Sequence, residues 1–159
     1  MKNIFKTVVT LFFILLFLSS AYSQGNYFNY TNGNICFWYP DNWLVREHIL
    51  LLLMPKSENL QIRFEITNTV DLNEAVKESL TDLKSLYPDD TLFIIKDYVI
   101  NKLKVKDIDG IIQTKKINYL LLETPEKKII RVSYISPEDI ALKYKDDIRK
   151  ILNSLKPID

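Results

Sequence analysis

The apolar positions of this chain change period several times, and each change marks an element. Residues 35–39, Ile-Cys-Phe-Trp-Tyr, are apolar or aromatic without a break. A strand covered on one face alternates, so the unbroken run predicts a strand with side chains to bury on both faces. It is expected at the centre of the sheet, with the rest of the chain laid around it. Pro40 removes a backbone donor and, with Asp41-Asn42, marks a turn before Trp43 restarts the apolar pattern. The preceding residues 24–33 interleave Asn26, Asn29, Thr31 and Asn32 with Tyr27, Phe28 and Tyr30. They read as a partly ordered lead-in whose aromatics cover the first strand or, alternatively, offer a sugar-binding face.

Two runs, Leu44 to Arg46 and Ile49 to Met54, flank Glu47-His48 and predict a tight hairpin. Leu60, Ile62, Phe64 and Ile66 alternate with polar residues, the period of a strand with one buried face. The period then lengthens. Leu72, Ala75, Val76, Leu80, Leu83 and Tyr87 recur every three or four residues, predicting a helix over 71–87 with Asp71 as cap, Glu74 as its capping-box partner and Pro88 as terminator.

From Thr91 to Ile100 the chain is β-branched and aromatic again, and Lys102, Lys104 and Lys106 then alternate with Leu103 and Val105. Asp107-Ile108-Asp109-Gly110 is read as a hairpin turn, because a calcium loop would need later ligands that are missing. Residues 111–123 and 128–135 form a long hairpin around Thr124-Pro125-Glu126-Lys127. Ser136-Pro137-Glu138-Asp139 starts a final helix over 137–155, with Ile140, Tyr144, Ile148, Ile151, Leu152 and Leu155 as its stripe. Asp139 with Lys143 and Asp146 with Lys150 are expected to pair along it. Strands, a helix, more strands and a terminal helix make an α+β fold with a largely antiparallel sheet in one domain, residues 24–159. The aromatic ribbon is expected to lie between layers that include both helices.

The first 23 residues belong to a different pattern. Lys2 and Lys6 precede an unbroken apolar run from Val8 to Leu18, and small residues follow at Ala21 and Ser23. A basic head, a short apolar middle and small residues form a secretory signal peptide, with cleavage expected between Ser23 and Gln24. The run is shorter than the ~20 residues a spanning helix needs, so no stable membrane anchor is expected after cleavage. No cysteine lies close behind it for a lipoprotein anchor.

Cleavage removes two lysines and no acid, which takes the formal net charge from +1 to about −1. That balance gives no bulk attraction to nucleic acid or to an anionic membrane. About 136 residues remain, enough for a core in one domain. With Cys36 as the single cysteine, no internal disulfide can form, and the thiol reads as a small core hydrophobe.

The segment Ile35-x-Phe37-x-Tyr39-Pro40-x-x-Trp43 resembles the opening strand and turn of PsbP-like proteins. The order of elements continues the likeness through the Gly110 region and Val132-Ser133-Tyr134 into Ile151-Leu152-Asn153-Ser154-Leu155. The resemblance covers most of residues 33–157 and implies a PsbP-like sandwich, an antiparallel sheet between helices, as in exported bacterial members of unknown role. Function does not follow from it, since relatives range from photosynthetic subunits to a nuclear protein that binds a small GTPase. The histidine metal sites of plant members find only His48 here, at an unmatched position, so no residue role is transferred.

Candidate chemistry is sparse. His48 is the one imidazole, set in a turn, which leaves little for a Cys-His or Ser-His-Asp arrangement and nothing for a multi-histidine zinc site. Asp89-Asp90 and Asp146-Asp147 are carboxylate pairs in a turn and on a charged helix face. With three glycines there is no phosphate-cradling loop. The lysines from Lys102 to Lys116, joined by Lys127 and Lys128, form either a polyanion patch or a solvated sheet edge. The reading is a non-catalytic exported binding or accessory module, with no cofactor, metal or catalytic residues assigned, that meets a protein or small ligand in the cell envelope. Two alternatives stand beside it. A carboxylate-dependent hydrolase of envelope polysaccharide needs two carboxyls in one cleft; a small lipid or ligand carrier needs a deep dry cavity.

Overall fold

In the structure, a computed structural model, residues 24–56, 60–88 and 93–158 are described. The expected signal peptide up to Ser23, and Asp89-Asp90, lie outside the described residues. The chain forms β1 (Gly25–Tyr30), a 3-10 turn (Thr31–Gly33), β2 (Ile35–Pro40), β3 (Trp43–Glu47), β4 (Leu51–Pro55), β5 (Ile62–Ile66) and α1 (Leu72–Leu86). After these come β6 (Ile94–Ile100), β7 (Leu103–Ile112), β8 (Lys115–Glu123), β9 (Ile129–Pro137), α2 (Glu138–Lys143), α3 (Lys145–Ser154) and β10 (Lys156–Pro157). All strand pairing among the described residues is antiparallel, as an α+β reading requires.

The strands form two sheets. A seven-stranded sheet runs β3-β4-β5-β9-β8-β7-β6, and a three-stranded one runs β1-β2-β10. The aromatic ribbon Ile35–Tyr39 is therefore the centre of the small sheet, not of the large one. Its two-sided burial has a different origin from the one expected: the small sheet lies on a face of the large sheet, where Phe37 stacks on Phe64 with ring centroids 4.6 Å apart. α3 packs on β2, and the Trp38 amide donates to Ser154 Oγ at 2.8 Å. Phe37 is fully buried and Trp38 half-buried. The strand that is buried on both faces within the large sheet is β8, whose residues Ile117 to Leu122 are all buried.

The lead-in is also more ordered than its composition suggests. β1 pairs with β2 along its full length, from Gly25 opposite Pro40 to Tyr30 opposite Ile35. Phe28 and Tyr30 pack into the core while Tyr27 stays exposed, so the three aromatics do not form one outward face. Gly33 is required by space: a Cβ there would come within 2.6 Å of the Tyr30 ring and 2.9 Å of Ile130.

Two core clusters sit on opposite faces of the large sheet. One joins Phe37, Phe64, Val105, Leu120, Val132 and Ile151 between the large sheet, the small sheet and α3. The other joins Val76, Leu83, Ile108, Ile117, Leu121 and Ile129 beneath α1. α1 thus covers β7 and β8 and packs into the other core cluster, across the large sheet from the aromatic ribbon it was expected to shield. Its cap forms as expected, with the Asp71 carboxylate accepting from the Asn73 and Glu74 amides at 2.9 Å each. The second half of the capping box is rerouted. Thr69 Oγ1 accepts the Asp71 amide and donates to Glu74, so Glu74 holds the threonine rather than the backbone.

Three turns differ from expectation. The first hairpin bends at His48-Ile49-Leu50, leaving Ile49 98% exposed rather than in the strand. Asp107-Ile108-Asp109-Gly110 is no turn but the middle of β7, with Asp109 opposite Asn118 and Gly110 opposite Ile117. The reversals fall instead at Asn101-Lys102, both in the left-handed region, and at Gln113 with φ of 56°. The final helix breaks at Tyr144 into α2 and α3. Ser136 is inside β9 and fully buried, so Pro137 precedes α2 without a side-chain cap. Asp146 pairs with Arg149 at 3.2 Å, and Lys150 lies over the Trp38 ring instead.

Phe37→Ala would remove the ring that joins the two sheets and should cost about 3–5 kcal/mol of unfolding free energy. Urea denaturation monitored by tryptophan fluorescence measures it; a loss below ~1 kcal/mol would contradict this account of the fold.

Candidate functional site

Strand alternation places every second residue of β7 on the same face as the small sheet and the C-terminal helices. Leu103 and Val105 on that face are buried in the core, but the next two, Asp107 and Asp109, are polar and only partly buried. They face a cleft between the sheet and α2–α3 with a volume of about 430 Å³. Tyr98, Asp107, Asp109, Asn118 and Tyr134 form its floor, on β6 to β9. Ile111, Leu142, Ile148 and Leu152 supply its apolar surface, the last three from the helices. Lys145 and Arg149 line it from exposed positions on α3.

The floor is a connected polar network. Asn118 Nδ2 donates to Asp107 Oδ1 at 2.6 Å, and the Tyr98 hydroxyl donates to Asp107 Oδ2 at 3.2 Å. Lys116 forms an ion pair with Asp109. Asp107 has no such cation: among the described residues none lies within ion-pair distance of it. Asn118 is 7% exposed, and while its amide nitrogen is fixed by Asp107 its Oδ1 has no hydrogen-bond partner among the described residues.

Burial is the main cause that raises the Asp107 carboxyl above its usual value of 3.8. The hydrogen bond from Asn118 opposes the shift, the charge of Asp109 adds to it, and Tyr98 and Lys96 oppose it weakly. Tyr98 is raised by burial first and then by the Asp107 charge. Burial, with smaller repulsion from Asp109 and Asp107, pushes Tyr134 up to about 12. Both phenols therefore remain protonated donors through neutral pH.

The residues singled out in the sequence are scattered. Cys36 is buried on β2. His48 is exposed in the β3–β4 turn, away from the cleft. Much of the lysine patch is taken up by local pairing: Lys106 pairs with Asp97 at 2.6 Å, Lys127 with Glu123 at 2.5 Å, Lys104 with Glu123 at 3.8 Å, and Lys128 donates to the Asn32 carbonyl. Nor do Lys104 and Lys116 protect an edge, since β7 and β8 are interior strands. Asp146-Asp147 lie in the first turn of α3. Asp107, Asp109 and Gly110 were singled out for the wrong reason, as a turn. Tyr98, Asn118 and Tyr134 were missed, although the signal was present: Asn118 interrupts the apolar run of β8.

A smaller hollow of about 240 Å³ lies on the opposite sheet face, among Gln61, Arg63, Tyr119 and Ser133. Arg131 beside it is spoken for. It holds Glu65 through two nitrogens at 3.2 and 2.6 Å, reaches Asp82 at 3.3 Å and lies 5.5 Å over the Tyr119 ring, tying β5, β9 and α1 together.

The fold is PsbP-like. Among solved structures, the chain is similar to cyanobacterial PsbP (CyanoP) from Synechocystis sp. PCC 6803, with a TM-score of 0.59 and 11% identity over 85% of this chain and 93% of that one. It is also similar to a protein from Bacteroides thetaiotaomicron VPI-5482, with a TM-score of 0.54 and 14% identity over 84% of this chain and 48% of that one. The likeness at these identities is one of fold. No family model and no curated protein matches the sequence.

Asp107→Asn tests the electrostatics of the floor. A carboxyl raised in the folded state contributes stability that is fully present below its unfolded value and is lost as the pH rises through the folded one. The variant should therefore gain stability relative to the unaltered protein between about pH 4 and pH 7, measured by urea midpoints at the two pH values. A difference that is constant, or that shrinks toward neutral pH, would contradict the raised carboxyl.

Proposed function

We propose that this protein is an exported, non-catalytic binding or accessory module that receives a ligand of the cell envelope in the Asp107 cleft. One observation carries the reading: an apolar helix wall faces a floor of convergent hydrogen-bonding side chains across an open cleft of ligand size. The PsbP-like fold supports an accessory role only in that it positions this cleft. Export is supported by Lys2, Lys6 and the apolar run from Val8 to Leu18, with cleavage between Ser23 and Gln24. Among the described residues no helix is long and apolar enough to cross a membrane. The reading requires no cofactor, metal or nucleic acid.

A hydrolase of envelope polysaccharide is the second reading, because Asp107 and Asp109 line the same cleft. Residues two apart on a strand have Cα atoms roughly 6.5–7 Å apart, compatible with the carboxyl separations of glycosidases. The ion pair from Lys116 to Asp109 weighs against it, since it occupies the carboxylate that would have to act on substrate or water. A carrier for lipid would require an enclosed apolar cavity, whereas this cleft is open and carries three acidic side chains, Asp107, Asp109 and Glu138.

Two measurements test the proposal. Protein recovered from the periplasm or medium of its host should begin at Gln24 on N-terminal sequencing; a retained Met1 would overturn export. A fragment screen followed by amide chemical shifts should perturb Tyr98, Asp107, Asn118 and Leu152 together. Shifts centred on Arg63 and Ser133 would move the site to the other face, and polysaccharide turnover lost in Asp107→Asn would replace the binder with the hydrolase.

A further inference from the structure

The acceptors on the cleft floor outnumber the donors placed to meet them. Asp107 has hydrogen bonds but no ion-pair partner, and the side chain of Asn118, more than nine-tenths buried, has an Oδ1 with nothing to accept from among the described residues. Asn118 cannot turn its amide to relieve this, because its nitrogen is held by Asp107 at 2.6 Å. A buried acceptor left open in this way costs free energy, which marks the Asp107–Asn118 pair as the place on the floor where a donor is lacking.

The geometry points to a small organic ammonium with an alkyl body as the occupant, its N–H groups on Asp107 beside Asn118 and its carbon chain along Ile111, Leu142, Ile148 and Leu152. This rests on the binding reading of the cleft and names the ligand class for it. An ammonium supplies three donors and the missing positive charge in one group. The protein already shows the match one residue pair away, where the Lys116 ammonium meets Asp109. A metal ion is the competing occupant, but among the described residues no group of three His, Cys, Asp or Glu side chains is placed to hold one.

The test uses purified protein with four probes, hexylammonium, hexanol, hexanoate and calcium, read by calorimetry and by amide shifts at Asp107, Asn118 and Leu152. Hexylammonium should bind at least tenfold more tightly than hexanol or hexanoate. Asp107→Asn should weaken it roughly tenfold or more, the scale of a lost charge-assisted hydrogen bond, while leaving hexanol unchanged. Leu142→Ser, at a 60% exposed position where folding is not at stake, should weaken hexylammonium and hexanol alike. Should Asp107→Asn fail to fold, hexylammonium binding unaffected by Leu142→Ser overturns the inference. Equal affinity for hexylammonium and hexanol at the cleft overturns the ammonium while the binding module stands. Calcium binding that depends on Asp107 and excludes hexylammonium overturns it in favour of a metal. No probe shifting any cleft amide removes both the inference and the binding reading of this cleft.

Discussion

The stack of Phe37 on Phe64 is the contact on which the architecture depends. Two antiparallel sheets lie face to face there, and the ring pair, 4.6 Å apart and nearly parallel at 14°, fills the interface. The large sheet would otherwise expose Leu53, Ile62, Phe64 and Val132, four fully or almost fully buried side chains, which water would penalise at roughly 1.5–3 kcal/mol each. The small sheet also sets the course of the last described strand. β10 pairs with β2, Lys156 opposite Cys36, so α3 has to lie beside β2 to deliver it.

The cleft follows from that placement. The small sheet covers one end of the large sheet and α3 bridges toward the other, pinned at its C-terminal end by three hydrogen bonds. Ser154 accepts from the Trp38 amide, and Asn101 Nδ2 donates to the carbonyls of Asn153 and Leu155 at 3.0 and 2.9 Å. β6 and β7 lie at that other end of the large sheet. Along one face of β7 the side chains change from Leu103 and Val105 to Asp107 and Asp109 where the cleft opens between the sheet and α2–α3. The polar floor is thus a partly covered sheet face, and the Asp107 carboxyl is buried enough to feel desolvation while still lining the cleft.

How far the sequence disclosed this depends on whether a pattern is local. The Asp71 cap, the 3.6-residue period of α1 and the alternation of Leu60, Ile62, Phe64 and Ile66 are local, and each element formed where its pattern placed it, with Ile66 alone of that stripe left 37% exposed. Ile35–Tyr39 shows the limit. An unbroken apolar run says that both faces are covered but not by what, and β2 obtains its cover from a second sheet and α3 rather than from sheet-flanking helices. Residues 117–122 carried the same signal with the Asn118 interruption, and they are the strand buried on both sides within the large sheet. Gly110 misled for a related reason. Glycine favours turns, but nine residue pairs between β7 and β8 hold it extended, and the turn moves to Gln113, which takes a left-handed conformation without being glycine or asparagine. The cleft was least legible because Tyr98, Asp107, Asn118 and Tyr134 come from four strands and meet only through register.

Asp107 is expensive for a residue that serves only the fold. Its raised carboxyl means that ionisation weakens the folded state, and Asn118 and Tyr98 offset only part of the desolvation. An apolar side chain at that position would extend the stripe of Leu103 and Val105 and meet Ile148 and Leu152 across the gap. Lys116 shows that a lysine can be brought to a neighbouring carboxylate, so the missing counter-ion at Asp107 is not forced by the backbone. A stabilising alternative close at hand, left unused at the floor of the cleft, is the pattern that strained or desolvated groups show where binding is their purpose.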